Sequence, residues 1–208
     1  MSSPAELAAR LGAATLGESG AGRMHPRMRP VWPGARISAL AFTVTCTPGD
    51  NLGIHVAVAE APAGSVLCVD VGDIGELGYW GEVLTTAAEA RCLVGLVIDG
   101  SVRDVDALEA HGFPVFSTGV ALPGASKCHP ATIGAGARVG DVDVVSGDWL
   151  VADVDGVAVI GAARLDEVLA AGSAREAAET TYFEELRSGA TTVELLSLDS
   201  SIVQRGPV

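Results

Sequence analysis

Aromatic residues are scarce, at 4% of 208, which argues against an aromatic stacking platform for single-stranded nucleic acid. Cations are scarce too. Thirteen Lys+Arg stand against 26 Asp+Glu, for a formal net charge of -13 and a sequence pI near 4.5. The mean surface therefore repels phosphate backbones and anionic lipid, and neither a nucleic-acid nor a membrane partner is expected. No window of about 18 uninterrupted apolar residues occurs, and the start MSSPAELAARLGAATLG lacks a basic region followed by an apolar stretch. A soluble cytoplasmic protein is the expectation. Cys46, Cys68, Cys92 and Cys128 form no C-x-x-C pair, which fits free thiols in a reducing compartment better than a cysteine zinc site.

Core material, by contrast, is plentiful. Hydrophobic residues make up 49%, glycines number 26 and the mean hydropathy is +0.38. The length suits one domain, since a single core keeps growing to roughly 250 residues. Ser3-Pro4-Ala5-Glu6 is a capping box opening a helix to about Gly17. The stretch from Gly20 to Pro33, with Arg23, Arg27 and Arg29, reads as a solvated loop rather than a partner-binding patch. Strands follow at 37–46, 65–71, 94–100 and 114–119, alternating with helices from Asp50 to about Ala61, over 82–92 and over 104–112. This is an α/β pattern with a central βαβ core. From Ala131 to Ile160 short β segments add a β-rich layer, with Asp155-Gly156 as a hairpin signal. A helical stretch from about Ala163 to Arg187 is expected to be interrupted near Gly172, ahead of a polar tail. The chain thus divides into an N-terminal helix and loop (1–35), a main domain (36–187) and a tail (188–208).

The negative field would repel a small anionic substrate as well, so a site for one needs local cations, a metal or oriented backbone N–H groups. The strongest constellation runs from Gly72 to Asp104. Its loop GDIGELGYWG leads into a helix, so N–H groups of Gly81, Glu82, Val83 and Leu84 can converge on an anion. Arg103 and Asp104 follow the strand 94–99, at the sheet end where open α/β folds bind ligands. Each residue also has an ordinary reading. Arg103 can be a surface ion pair, Asp104 a helix cap, Glu82 a favourable charge in a first turn, and the glycines a plain tight loop. His25, His55, His111 and His129 show no metal-ligand spacing, and His55 reads as a half-buried structural histidine. There is no G-x-S-x-G element. Lys127, the single lysine, sits in a Gly/Pro loop that does not favour a Schiff base.

Taken together, NLGIHVAVAEAPAGSVLCVD, YWGEVLTTAAEARCLVGLVIDGSVRDVDAL, GFPVFSTG and GDWLVADVDGVAVI resemble the family of regulator of ribonuclease activity A and the 4-hydroxy-4-methyl-2-oxoglutarate aldolases. The resemblance implies a swivelling β/β/α domain assembled as a homotrimer or hexamer, with sites between subunits. In its aldolase branch it implies a lyase that uses Mg²⁺ or Mn²⁺ to cleave 4-hydroxy-2-oxo acids to pyruvate or to decarboxylate oxaloacetate. It assigns Asp104 to the metal, Arg103 and the N–H groups of Val83 and Leu84 to the substrate carboxylate, and Glu82 to water and proton handling. Glu179 becomes an outer-shell carboxylate from a neighbouring subunit. Two positions depart from the family: Glu82 stands where the aldolases usually have Asp, and Ala107 where an acidic residue is common. The competing expectation is a non-catalytic regulator that binds a ribonuclease.

Overall fold

The computed structural model describes residues 3–206. Ser3 and Glu6 form the expected capping box at the start of α1 (Pro4–Glu18). The helix breaks at Gly12, where φ is 77°, a conformation glycine adopts without the clash of a Cβ. Asp153 Oδ2 accepts the Ala13 N–H at 2.9 Å and so caps the second half. Next come β1 (Gly22–Arg23), β2 (Arg29–Pro30), β3 (Ile37–Cys46), α2 (Leu52–Glu60), β4 (Val66–Asp70), α3 (Glu82–Ala90) and β5 (Gly95–Asp99). They are followed by β6 (Ser101–Val102), α4 (Val105–His111), β7 (Val115–Ser117) and β8 (Gly119–Val120). The remainder comprises β9 (Ala131–Ile133), β10 (Ala137–Val139), β11 (Val142–Val144), β12 (Trp149–Asp153), β13 (Gly156–Ile160), α5 (Leu165–Arg187) and α6 (Thr192–Leu195).

Among the described residues nine strands form the main sheet, in the order β1-β13-β12-β3-β4-β5-β7-β2 with β9 also on β3. The strands β3, β4, β5 and β7 run parallel, and β12 pairs antiparallel with the first half of β3, Trp149 opposite Leu40. The two-residue side-chain period sorts the layers. On β4, Leu67 and Val69 face a core completed by Ile54, Leu84, Ala88 and Leu108 from α2, α3 and α4. Val66 and Cys68 face the opposite core, with Met28, Val139, Val144 and Leu150. A third core, with Leu11, Leu16, Ile160 and Leu169, fastens α1 and α5 to β12 and β13. Each fully buried Leu or Ile contributes about 1.5–3 kcal/mol. The result is the expected α/β architecture, a βαβ core with an added β-rich layer.

Two local expectations are corrected and one is refined. The helix α5 runs unbroken through Gly172, because that glycine lets α5 approach α1: a Cβ there would lie 3.0 Å from Leu11 Cδ1. The basic loop keeps Arg23, Arg27 and Arg29 exposed, as a solvated loop would, but it is also pinned. Met24 and Met28 are buried, and Arg27 reaches Asp99 through Nε at 3.1 Å and through an Nη at 2.8 Å, with Asp141 at 2.9 Å. The hairpin turn comprises Val154 and Asp155, since Asp153 pairs with Gly156, one residue earlier than the Asp-Gly signal suggests. The tail carries α6, opened by its own capping box of Thr191 and Glu194. No helix among the described residues is long and apolar enough to cross a membrane.

Candidate active site

The loop after β4 and the turn after β5 leave adjacent parallel strands at their carboxyl ends, where backbone groups and helix N-termini point into a shared crevice. Buried Tyr79 and Trp80 anchor that loop. The Tyr79 N–H donates to Ser101 O at 3.1 Å, and Trp80 O accepts the Arg103 N–H at 2.9 Å. Trp80 stacks on Phe113 with ring centroids 5.9 Å apart and donates its indole N–H to Thr85 Oγ1 at 2.7 Å. The glycines serve close approach. A Cβ on Gly78 would lie 2.6 Å from Ala121 O, and one on Gly81 would lie 2.3 Å from Asp104 Oδ2.

Asp104 occupies the position before α4 but makes no side-chain cap there, so the capping role does not describe it. Its φ of 59° and ψ of 39° are left-handed, a conformation Asp tolerates better than most side chains. Its Oδ2 instead accepts the Glu82 N–H at 3.1 Å and lies 3.7 Å from Arg103 Nε. Arg103 and Asp104 side chains are both about half exposed. The first helical bond of α3 is Thr85 N–H to Gly81 O, which leaves the N–H groups of Val83 and Leu84 without an intrahelical acceptor. Gly81, Val83, Leu84, Arg103 and Asp104 all line one cleft with a volume of about 150 Å³. The Glu82 side chain is outside that lining. Its Oε1 lies 3.8 Å from His111 Nε2. Glu179 lies on α5, where its Oε1 pairs with Arg175 Nε at 2.8 Å, away from Asp104 within the same chain.

Three polar side chains from elsewhere in the sequence also line the cleft: Asn51, His55 and Lys127. Asn51 Nδ2 donates to Tyr79 O at 2.8 Å, which fixes the orientation of the amide. Asn51 Oδ1 and His55 Nε2 are then buried without a hydrogen-bond partner among the described residues. His55 is half-buried, as the sequence suggests. Burial, and next the charge of Lys127, push its pKa below the ordinary histidine value. A signal was present in the spacing, since residues four apart at a helix start share a face. Lys127 brings a second cation beside Arg103 in a strongly acidic protein.

Asp104 suits a hard divalent cation. Its Oδ2 is engaged by the Glu82 N–H, while Oδ1 accepts no hydrogen bond among the described residues, and one carboxylate plus waters is a normal Mg²⁺ environment. A second grouping, Asp50, Cys128 and His129, brings its donor atoms within 4.8 Å of one another. It fits a metal poorly because Asp50 Oδ2 already accepts from the Cys128 N–H at 2.6 Å, Ser126 Oγ at 2.8 Å and the His129 N–H at 3.1 Å. Burial raises the Asp50 pKa, but these bonds and the Leu52 N–H outweigh it and hold the carboxyl well below the usual range.

The family model RraA-like, described as Aldolase/RraA, matches residues 13–159. The chain belongs to the aldolase/RraA family. A Burkholderia mallei protein named "Putative 4-hydroxy-4-methyl-2-oxoglutarate aldolase" is 33% identical over 151 residues, covering 69% of this chain and 86% of the relative. A Halalkalibacterium halodurans protein of the same name is 29% identical over 150 residues, 72% of this chain and 71% of the relative. Among solved structures, an uncharacterized Pseudomonas syringae protein superposes with a TM-score of 0.80 at 26% identity, covering 90% of each chain. The RNA-processing inhibitor RraA from Thermus thermophilis superposes with a TM-score of 0.60 at 25% identity, covering 68% of this chain and 84% of that one. The family thus includes proteins named as aldolases and RraA regulators of RNA processing.

Proposed function

We propose that this chain is a divalent-metal-dependent lyase of 2-oxo acids. It cleaves 4-hydroxy-2-oxo acids of the 4-hydroxy-4-methyl-2-oxoglutarate type to pyruvate, and decarboxylates oxaloacetate. The observation that carries this reading is the cleft itself: it is lined by Asp104, with one unengaged carboxylate oxygen, by Arg103, and by Val83 and Leu84, whose N–H groups have no intrahelical acceptor. Asp104 would hold Mg²⁺ or Mn²⁺, with waters completing the shell. Bound there, the ion supplies a Lewis acid for the ketone and carboxylate oxygens, the electron sink this bond cleavage needs without a Schiff-base lysine.

Arg103 binds the substrate carboxylate with its planar fork, and the N–H groups of Val83 and Leu84 add the field of a helix N-terminus. Lys127 supplies a cation for the second carboxylate of a dicarboxylic substrate. Glu82, at the rim, holds a water and moves the proton. The 4-hydroxyl proton leaves as the C3–C4 bond breaks, and one proton returns to C3, which becomes the methyl group of pyruvate. The working unit in this reading is a homotrimer or hexamer, with Glu179 of the partner subunit as an outer carboxylate. Exposed apolar side chains support an assembled form: Val83, Val120 and Leu122 on the body, and Tyr182 and Phe183 on α5.

The test is pyruvate release from both substrates with Mg²⁺, with Mn²⁺ and with chelator, in the wild type and in Asp104→Ala. Metal-dependent turnover that Asp104→Ala abolishes, with melting little changed, supports the lyase. No turnover with either metal would overturn it and favour a protein-binding regulator of ribonuclease activity, which needs no metal.

A further inference from the structure

We propose that His111 is a positioning residue for Glu82, a role that rests on the reading of Glu82 as the proton-handling group. Two anchors fix the imidazole. His111 closes α4, whose buried Leu108 lies one turn earlier on the same face, and Gly112 ends the helix directly after it with φ of 66°. Phe113 then holds the chain by stacking on Trp80. The ring itself is held by Glu89, whose Oε2 lies 2.9 Å from Nδ1. With Nδ1 tied there, Nε2 faces Glu82 Oε1 at 3.8 Å, a charge contact of the imidazolium rather than a hydrogen bond.

Glu82 and Glu89 are seven residues apart on α3, so they share a helix face two turns apart, and the imidazole spans the gap between them. The His111 side chain is about one-quarter exposed, whereas that of Glu82 is more than half exposed. Among the described residues no side chain or backbone group donates a hydrogen bond to the Glu82 carboxylate, and His111 is the group that faces it. An exposed glutamate has three side-chain torsions to restrain, and a misplacement of about 1 Å in a reacting group can cost on the order of 10²-fold. The length of the residue matters as well. An Asp at 82 would be shorter by one C–C bond, about 1.5 Å, and would draw away from Nε2. The pairing is therefore specific to glutamate at this position.

The experiment is a double-mutant cycle on oxaloacetate decarboxylation, with His111→Leu and His111→Gln made in wild-type and Glu82→Gln backgrounds. His111→Leu should lower kcat by about tenfold with KM changed less than about twofold, and His111→Gln, which keeps a polar N–H group facing Glu82, should restore part of the loss. In Glu82→Gln, His111→Leu should add nothing. An equal loss in both backgrounds, or no loss in wild type, overturns the proposal. The contact is also read without turnover, by the imidazole resonances of His111 in a histidine ¹⁵N-labelled protein. They should move with Glu82→Gln and stay fixed with Glu60→Gln, a remote exposed control. A His111 signal that ignores Glu82→Gln overturns the positioning role even in an active enzyme, and one that responds in an inactive protein overturns only the lyase reading.

Discussion

The backbone N–H of Glu82 donates to Asp104 Oδ2 at 3.1 Å, which ties the first residue of α3 to the residue before α4. The bond spends one carboxylate oxygen on the protein and leaves the other available. It also explains the glycine beside it. Gly81 has an extended backbone, with φ and ψ of -166°, so alanine would fit its conformation, yet the added Cβ would fall 2.3 Å from Asp104 Oδ2 and 3.1 Å from Arg103 Cγ.

Gly81→Ala should therefore damage the site more than the fold. The Asp104 carboxylate has to turn away from the Glu82 N–H, and Arg103 has to shift with it. Mn²⁺ affinity, read by titration calorimetry, should fall at least about tenfold, in the range typical for disturbed supporting contacts of a metal ligand. The melting temperature should move by only a few degrees. Unchanged Mn²⁺ affinity would show that Asp104 has room to spare.

Arg103→Lys keeps the charge and removes the fork. Turnover of oxaloacetate should fall by about tenfold or more, because a point charge cannot bind both oxygens of a carboxylate in one plane. The Arg103 N–H bond to Trp80 O at 2.9 Å is a backbone bond, so the turn survives the substitution. Steady-state kinetics and a melting curve separate the two effects.

The parallel core was legible because its strands are apolar on both faces and bounded by turns: 37–46 matches β3 to the residue. The placement of Arg103, Asp104 and the α3 N-terminus around one cleft was also legible, since a strand end followed by a charged pair points to the ligand end of an open sheet. Contacts distant in sequence were not legible. Asp50 reads as a helix cap, and its Oδ1 does accept the Leu52 N–H at 2.7 Å. Its Oδ2, however, collects donors from 126–129, more than seventy residues away. That loop carries Lys127 into the cleft, so the second cation lies beyond any local pattern. Gly172 was misread for a related reason, since glycine within a helix weakens it unless a neighbouring helix needs the space.

Asp50→Asn tests the clasp. In the folded protein the Asp50 carboxyl is held below its ordinary value, so it adds stability that is present above about pH 4 and lost as pH falls further. The amide replaces one acceptor with a donor aimed at N–H groups, leaving buried donors unpaired at about 1–3 kcal/mol each. Urea unfolding at pH 7 should show a loss of at least about 2 kcal/mol. The variant should also have a flatter decline in stability between about pH 4 and lower pH than the wild type. A parallel decline in both proteins would mean that other carboxylates govern acid unfolding.

Glu179 lies 75 residues beyond Asp104 on α5, whose outer part exposes Tyr182 and Phe183. Within one chain its carboxylate is engaged by Arg175 at 2.8 Å, so its use in the active site requires a second copy. If a neighbouring subunit supplies it, Asp104→Ala and Glu179→Ala remove different halves of one shared site. Each variant alone should then be impaired, Glu179→Ala by roughly 10 to 100-fold as for other outer-shell carboxylates. Mixed oligomers of the two should regain turnover, because some interfaces pair an intact Asp104 with an intact Glu179. The check is to co-express the variants with different tags, isolate the doubly tagged species and compare its specific activity with each parent. Recovery well above both parents is the expected result. Activity no higher than the mean of the parents in a verified mixed oligomer, or an undiminished Glu179→Ala alone, would return Glu179 to its place as the i+4 partner of Arg175, a surface pair worth only about 0.3–0.5 kcal/mol.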